Sequence, residues 1–414
     1  MSKWAKTTLG KIADIITGPF GSQLHQSDYV KRGIPIVMPQ DIGNRNINYS
    51  TINYVSEEDA TRLKRYSTVA NDILYARRGD VEKHAFVRAK DAGVLCGTGC
   101  LRVRINSNEV EPAFLSFYLN REETRKWLVT HAVGTNMPNL NTDILSDVPI
   151  AYSTLKEQRK IVKVLNCLEE RIILNEKIND NLEQQAKLIY DYWFTQFDFP
   201  DENGKPYCSS GGKMVWNEQL KRNIPENWNV VPLLKLVSWE SNSQPPKSEF
   251  VYEPKEGYVR FIQNRDYDSD THITYIPRTK NLSIVDRFDI LMDKYGDAGA
   301  VRYGIEGAFN VALGKICVHN PNYREYIRSF LGSDGIYKFL HNSCMASTRA
   351  SLSEANLAIL NVVVPDEKNI LDYENFLHKI RVSILKNKAE TVELINLRNW
   401  LLPMLMNGQA TIAD

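Results

Sequence analysis

Two short strings constrain this chain most. "DILYARRGD" runs from Asp72 to Asp80, and "DILMDKYGD" runs from Asp289 to Asp297. Each is D-I-L, four variable residues, then G-D. They mark a longer internal repeat, and a repeat decides the fold before any local pattern does. Early in each half a tryptophan leads into a short apolar segment, "WAKTTLGKI" from Trp4 and "WNVVPLLKL" from Trp228. A glycine then precedes a strand-like run, "GIPIVMPQDI" from Gly33 and "GYVRFIQNRDY" from Gly257. After the D-I-L strings come further strand-like runs, "CLRVRI" (Cys100 to Ile105) and "GKICV" (Gly314 to Val318). Small-polar loops follow, "GTNMPNLN" from Gly134 and "ASTRASLS" from Ala346, and then "VPIAY" and "VVVP". The order is kept while the identity is thin.

Each half closes on a long helical pattern. Thr154-x-x-Glu157 reads as a capping box at the start of the first. Ile161, Val164, Leu168, Ile172, Ile178, Leu182 and Ile189 follow at steps of three, four and their sums. The second carries Ile380, Ile384, Thr391, Leu394, Leu397 and Leu401. Such spacing lays one apolar stripe along a helix, and a stripe needs a partner. From Glu157 to Phe194 the first helix would be about 55 Å long at 1.5 Å per residue, too long for the interior of one compact domain. The two long helices are therefore expected to pair, antiparallel if the halves are related by an approximate two-fold. Asn175 and Asn387 occupy equivalent places in the stripes. Each either fixes register from within the seam or lies at its edge. Between the halves, Phe199 to Trp228 is rich in Pro, Gly, Asn and Ser and reads as a linker with turns. The remainder mixes strand-like and helix-like runs, so the class is α/β (α+β).

At 414 residues the chain exceeds one ordinary core, and two or three domains are expected. Its 43% hydrophobic and 24% charged residues are those of a soluble globular protein. No apolar run approaches the ~20 residues of a membrane span, and the first residues lack an apolar signal core. A cytoplasmic location with no membrane partner is expected. The net charge of +1 does not by itself announce nucleic acid. Basic residues cluster at Lys31–Arg32, at Arg62, Lys64 and Arg65, at Arg77–Arg78 with Lys83, and at Arg102 and Arg104. If the chain grips DNA, either such clusters act or a partner supplies phosphate contacts. The six cysteines have no framework spacing and are expected to be reduced. Cys96 and Cys100 in "CGTGC" lack the second pair of a zinc site and read as flanking a glycine-rich turn.

No catalytic constellation appears. There is no phosphate loop, no H-E-x-x-H and no G-x-S-x-G elbow. "NPNY" (Asn320 to Tyr323) resembles the Asn-Pro-Pro-Tyr element with which adenine-N6 methyltransferases hold a flipped base. It lacks the second proline and a glycine-rich cofactor loop, so a turn leading into a helix is the better reading. A self-sufficient adenine-N6 methyltransferase using Asn320–Tyr323 stands as the alternative function, and a protein-only coiled-coil adaptor as a third. Asp80 and Asp297 could serve a metal-dependent nuclease, but no third ligand repeats with them. Gly-Asp as a tight turn after a buried strand is the stronger reading.

"GPFGSQL" followed by "DYVKRGIPIVMPQDI", the two D-I-L copies, "LKEQRKIVKVLNCLEERI" and "YDYWFTQFDFPDENGKPYCSSGGKMV" leading to "IPENW" carry a resemblance over the whole chain. It resembles the specificity (S) subunit of type I restriction–modification enzymes. Tyr152 stands where the family commonly has proline, and the second helix lacks the Glu-Gln of Glu157–Gln158. The resemblance implies two tandem target recognition domains separated by two long antiparallel coiled-coil spacer helices, in a pseudo-two-fold internal repeat. The implied boundaries are 1–152 and 228–365 for the recognition domains, 153–198 and 366–414 for the spacer helices, and 199–227 for the linker. Each domain would read one part of a split, asymmetric site in double-stranded DNA, with the helices setting the unread spacer. Two methyltransferase (M) subunits would dock and carry S-adenosylmethionine. Two restriction (R) subunits, where present, would add cleavage with ATP and Mg. The chain itself would be non-catalytic, without metal or cofactor.

Base edges are read by side chains such as Arg, Lys, Gln and Asn. The DNA-binding candidates in the first domain are Ser22, Gln23, Gln40, Arg77, Arg78, Thr135 and Asn136. In the second they are Asn242, Gln244, Gln263, Asn264, Lys294, Tyr295, Thr348 and Arg349. The spacer-helix seam is expected to contain Ile161, Leu168, Ile172, Asn175, Leu182, Ile189, Ile380, Ile384, Asn387, Leu394 and Leu401.

Overall fold

A computed structural model of the chain describes residues 4–134, 138–268, 272–345 and 351–412. It forms two compact units, Met1–Ile173 with Thr391–Asp414, and Leu174–Glu390. The first unit contains β1 (Ala5–Thr8), β2 (Ala13–Thr17), β3 (Tyr29–Val30), β4 (Ile34–Val37), β5 (Asn53–Val55), α1 (Glu57–Arg62), β6 (Ile73–Ala76), β7 (His84–Phe86), β8 (Leu95–Cys96) and β9 (Cys100–Ile105). Then come α2 (Pro112–Leu119), α3 (Glu122–His131), α4 (Thr142–Ser146), β10 (Pro149–Tyr152) and the start of α5 (Leu155–Tyr190). One sheet has the order β2-β9-β6-β7, a second the order β3-β5-β4-β8, and β1 pairs with β10.

The second unit adds a hairpin of β11 (Met214–Asn217) and β12 (Arg222–Pro225). It then runs through β13 (Asn229–Pro232), β14 (Val237–Ser241), β15 (Tyr258–Ile262), β16 (Tyr275–Pro277), β17 (Ile284–Val285), β18 (Ile290–Asp293), β19 (Val301–Arg302), β20 (Gly307–Phe309) and β21 (Leu313–Val318). Next come α6 (Arg324–Leu331), α7 (Asp334–Met345), α8 (Glu354–Ala358), β22 (Asn361–Val364) and α9 (Glu367–Met406), whose last residues, from Thr391, belong to the first unit. The orders β14-β21-β18-β19 and β16-β15-β20-β17, with β13 on β22, repeat the plan of the first unit. Even the parallel pair recurs: Val37 faces Cys96, and Ile262 faces Phe309. From the two eight-residue helices α2 and α6 onward, the elements of one copy follow those of the other at a constant interval.

The D-I-L strings sit at the centre of each copy for a physical reason. Successive strand residues point to opposite faces. Ile73 and Tyr75 enter one core, while Leu74 and Ala76 enter another. Ile290 and Met292 likewise face one core and Leu291 a second. A strand covered on both faces must be apolar throughout. Its leading aspartate ties the strand start to the neighbouring strand. Asp72 accepts both arms of Arg104, at 2.8 and 2.6 Å, and the Val69 amide. Asp289 meets Lys315 at 3.0 Å and accepts the Asp286 amide. The closing glycine turns the chain with φ of 83° at Gly79 and 73° at Gly296, a region that only glycine enters without penalty.

Within each unit the two long helices run antiparallel. In the second, Asn175 donates to Glu390, Asn387 to Asn179, and Arg381 to Glu183, so rising numbers on α5 meet falling numbers on α9. Asn175 is buried inside the seam, whereas Asn387 lies half-buried at its edge. Ile161, Ile172, Ile380 and Ile384 are buried, and Leu168, Leu182, Ile189, Leu394 and Leu401 half-buried. Ile178 and Leu397, counted in the stripe from spacing, face solvent instead. Leu165, Ala186 and Tyr190 take the buried places, because each helix packs against both its partner helix and the sheets' helices.

Thr154 and Glu157 exchange the two bonds of the capping box at 3.4 Å each. Gln158 is fully buried and holds Glu109, Glu111 and Ser153 by their backbones. The second helix lacks that pair and begins differently: Asp366 accepts the Asn369 amide and side chain, and the Trp228 indole. The linker-like stretch is well packed. Phe199 stacks on Trp228 at 4.6 Å and on Tyr207 at 4.7 Å, and Asp198 clasps the Ser209 amide and hydroxyl.

Candidate nucleic-acid interface

In each unit the strand ends gather loops at one edge. Thr17 and Ala76 flank the start of β9, opposite Leu101 and Cys100. Val37 and Cys96 end side by side in the parallel pair. The loops that follow Thr17, Val37, Ala76 and Cys96 therefore emerge together. Close approach holds them. A Cβ at Gly18 would lie 2.0 Å from the Gly97 carbonyl oxygen, so only glycine fits. Cys96 and Cys100 flank that turn as buried thiols, with Cys100 Sγ against the Val37 carbonyl at 3.3 Å.

The loop after the D-I-L strand is fixed in the same way twice. The Arg77 amide donates to Gly99 O at 2.7 Å, and the Leu140 amide to Arg77 O at 2.8 Å. In the second unit the Lys294 amide donates to Ala312 O at 2.8 Å, and the Leu352 amide to Lys294 O at 3.0 Å. The four variable residues thus divide. Tyr75 and Ala76, like Met292 and Asp293, are buried strand. Arg77 and Arg78, like Lys294 and Tyr295, emerge at the turn.

Ser22, Gln23, Gln40 and Arg78 are exposed, and Arg77 is half-buried with an Nε that has no hydrogen-bond partner among the described residues. Gln23 also braces its own loop, because its Oε1 accepts the Tyr66 hydroxyl at 2.8 Å and its carbonyl accepts Arg62 at 2.6 Å. In the second unit Gln244 and Tyr295 are exposed. Lys294 is half-buried; its Nζ lies 3.4 Å from Ser241 Oγ, and burial pulls its pKa down. A less hydrated ammonium of this kind gives up less on meeting an anion.

Two candidates of the second unit, Asn242 and Gln263, hold the scaffold rather than face outward, and a third, Asn264, is half-buried. Asn242 is buried, donating to Ser283 O and Phe309 O while its Oδ1 accepts the Ser283 and Ser243 amides. Gln263 donates to Thr274 Oγ1 at 3.1 Å. Thr135, Asn136, Thr348 and Arg349 lie outside the described residues.

Sequence reasoning missed Arg265. Its guanidinium is 54% exposed, and it follows the β15 strand as Gln40 follows β4. Aligning the two halves on the aspartates of "PQDI" and "NRDY", rather than on their glutamines, would have found it.

The "NPNY" stretch is a helical turn. Asn320 Oδ1 accepts the Asn322 amide at 3.1 Å and caps the start of the turn, and Tyr323 is half-buried against Tyr326. Among the described residues no group of three or more His, Cys, Asp or Glu could hold a metal ion, and no helix is long and apolar enough to cross a membrane.

Comparison with known proteins gives a consistent family. The model of the type I restriction modification DNA specificity domain matches residues 1–184. The type I restriction enzyme MjaIX specificity subunit of Methanocaldococcus jannaschii is 21% identical, over 98% of this chain and 93% of its own length. The HindI specificity subunit of Haemophilus influenzae is also 21% identical, over 99% of this chain and all of its own length. The crystal structure of an S subunit from M. genitalium superposes with a TM-score of 0.62 at 16% identity, covering 98% of this chain and 96% of that one. That last likeness concerns the fold.

Proposed function

We infer from the match over residues 1–184 and from these relatives that the chain belongs to the specificity-subunit family of type I restriction–modification systems, and from that premise we propose that it reads a bipartite DNA site, one half-site per unit. The observation that carries this reading is the twofold use of one loop scaffold with different residues at its tips. Arg77 and Arg78 occupy the turn in one copy, Lys294 and Tyr295 in the other, on equivalent backbone bonds. A scaffold built twice and carrying different residues at its tips suits two half-sites of different sequence.

Methyltransferase subunits dock on the chain in this reading and supply S-adenosylmethionine. Restriction subunits, where present, bring ATP and Mg2+, and the complex works in the cytoplasm. The chain itself performs no covalent step. Phosphate contacts dominate affinity for DNA, and a chain of net charge +1 shares them with its methyltransferase partners. The length of the paired helices sets the number of unread base pairs between half-sites.

Exchanging residues 1–152 for the corresponding domain of another family member is expected to change one half of the recognised sequence and leave the other intact. Methylome sequencing of cells carrying the chimera with its methyltransferase subunit reads this directly. A change in both halves, or in neither, would overturn the modular reading. Inserting four residues within α5 is expected to alter the unread spacer while both half-sites keep their sequence. An unchanged spacer in the same assay would remove the ruler.

A further inference from the structure

We propose that the tight turn after β4 and after β15 is one base-reading station used twice, with the Gln40 amide reading adenine in one half-site and the Arg265 guanidinium reading guanine in the other. The inference rests on the bipartite reading above and adds to it a residue and a base in each unit.

The frame of the station is the same in both copies. The Asp41 carboxylate accepts the Met38 amide at 2.8 Å, and the Asp41 amide donates to Met38 O at 2.9 Å. The Asp266 carboxylate accepts the Gln263 amide at 3.1 Å, and the Asp266 amide donates to Gln263 O at 2.9 Å. Both carboxylates are buried, and that of Asp41 also accepts the Thr51 hydroxyl at 2.7 Å. Each frame directly follows the parallel strand pair, so both stand at the loop edge described above.

Within the frame one side chain is left to project. Pro39 has no polar group in the first copy, and Asn264 is half-buried in the second. Gln40 and Arg265 follow them, and both are exposed. Among the described residues Arg265 makes only a loose approach of 3.9 Å to Asp266, which leaves its fork open there. A glutamine amide matches the donor and acceptor of adenine in the major groove, and an arginine fork matches the two acceptors of guanine. Mounting both on equivalent rigid turns gives each unit one fixed reading position, and the residue there decides the base.

The test uses the chain assembled with its methyltransferase subunits and duplexes in which each base pair of the recognised site is varied in turn, at one salt concentration. Arg265→Gln is expected to reduce binding to the native site roughly 5- to 150-fold and to shift preference from guanine to adenine at a single position in the half-site of the second unit. Arg265→Lys keeps the charge and loses the fork, and is expected to relax that position without a shift to adenine. Gln40→Ala is expected to relax one position in the other half-site only. Uniform weakening over all sequences would make Arg265 a phosphate contact and overturn the station, as would unchanged preference. The exchange of residues 1–152 separates the two levels. If that exchange switches a half-site while the point variants do not, the station falls and the bipartite reading stands. If the exchange also has no effect, the bipartite reading falls with it.

Discussion

Replacing Glu325 by alanine is expected to lower the stability of the Leu174–Glu390 unit by about 3–5 kcal/mol, the penalty of leaving buried charge uncompensated. Glu325 lies fully buried in the first turn of α6, with one carboxylate oxygen on Arg328 and the other on Arg381 Nε at 3.1 Å. Both guanidinium groups are nearly as buried as their partner. Arg381 also binds Glu183 and the Tyr303 hydroxyl, and three cations, Arg328, Arg381 and Lys388, crowd the Tyr303 ring within 5.4 Å. The nearby Glu374 does not offset them fully, because burial raises its pKa to about 7. Glu325 and Glu183 are therefore the main counter-charges. Urea unfolding followed on the second unit checks the loss. The double variant Glu325→Met with Arg381→Met is expected to lose less than Glu325→Ala, since it removes one of the stranded cations while Glu183 keeps the Tyr303 hydroxyl. A double variant at least as unstable as the single would show that shape, rather than stranded charge, explains the loss.

This cluster was not legible in the sequence, and the reason is physical. The periodicity of α5 and α9 announces an apolar stripe, and Ile161, Ile172, Ile380 and Ile384 are buried. The same pattern counts Glu169, Glu183 and Arg381 as solvent-facing, because it cannot see the partner that neutralises each. Ile178 and Leu397 fit the spacing and are nevertheless exposed. The duplicated D-I-L strand and its glycine turn were readable, since a doubly covered strand has to be written in continuous apolar residues. The loop tips were less so. Asn242 and Gln263 are polar residues in the right loops, yet their amides close hydrogen bonds within the unit. Composition marks which loops vary, and only geometry tells a bracing amide from a projecting one.

A second charged latch ties the first unit to its helix, and Glu169→Ala is expected to destabilise that unit by about 3–5 kcal/mol. The Glu169 carboxylate faces Arg45 at 3.2 Å and Arg88 at 3.8 Å. Arg45 is buried, only 2% exposed, and burial pulls its pKa down to about 10 despite Glu169. The guanidinium sits 3.3 Å from the Phe117 ring centroid and donates to Ser116 Oγ at 3.0 Å. A depressed arginine pKa means that desolvation exceeds what the carboxylate returns. Both folded and unfolded arginine remain charged below about pH 10, so this penalty is constant through the neutral range. Taking Glu169 away exposes the penalty in full. Arg45→Ala is expected to be milder, because Glu169 keeps Arg88. Arg45→Met combined with Glu169→Met is expected to recover most of the loss, since methionine can lie on the same aromatic ring. The latch then contributes selectivity more than stability. The position of Glu169 on α5 corresponds to that of Arg381 on α9, so the two units present opposite charges to their helices. A like-charged combination is repelled, and Glu169→Arg is accordingly expected to be worse than Glu169→Ala in urea unfolding of the first unit. If the reversal proved no worse than the truncation, or if the double methionine variant stayed as unstable as Glu169→Ala, opposite charge would not be what fits this helix to this unit.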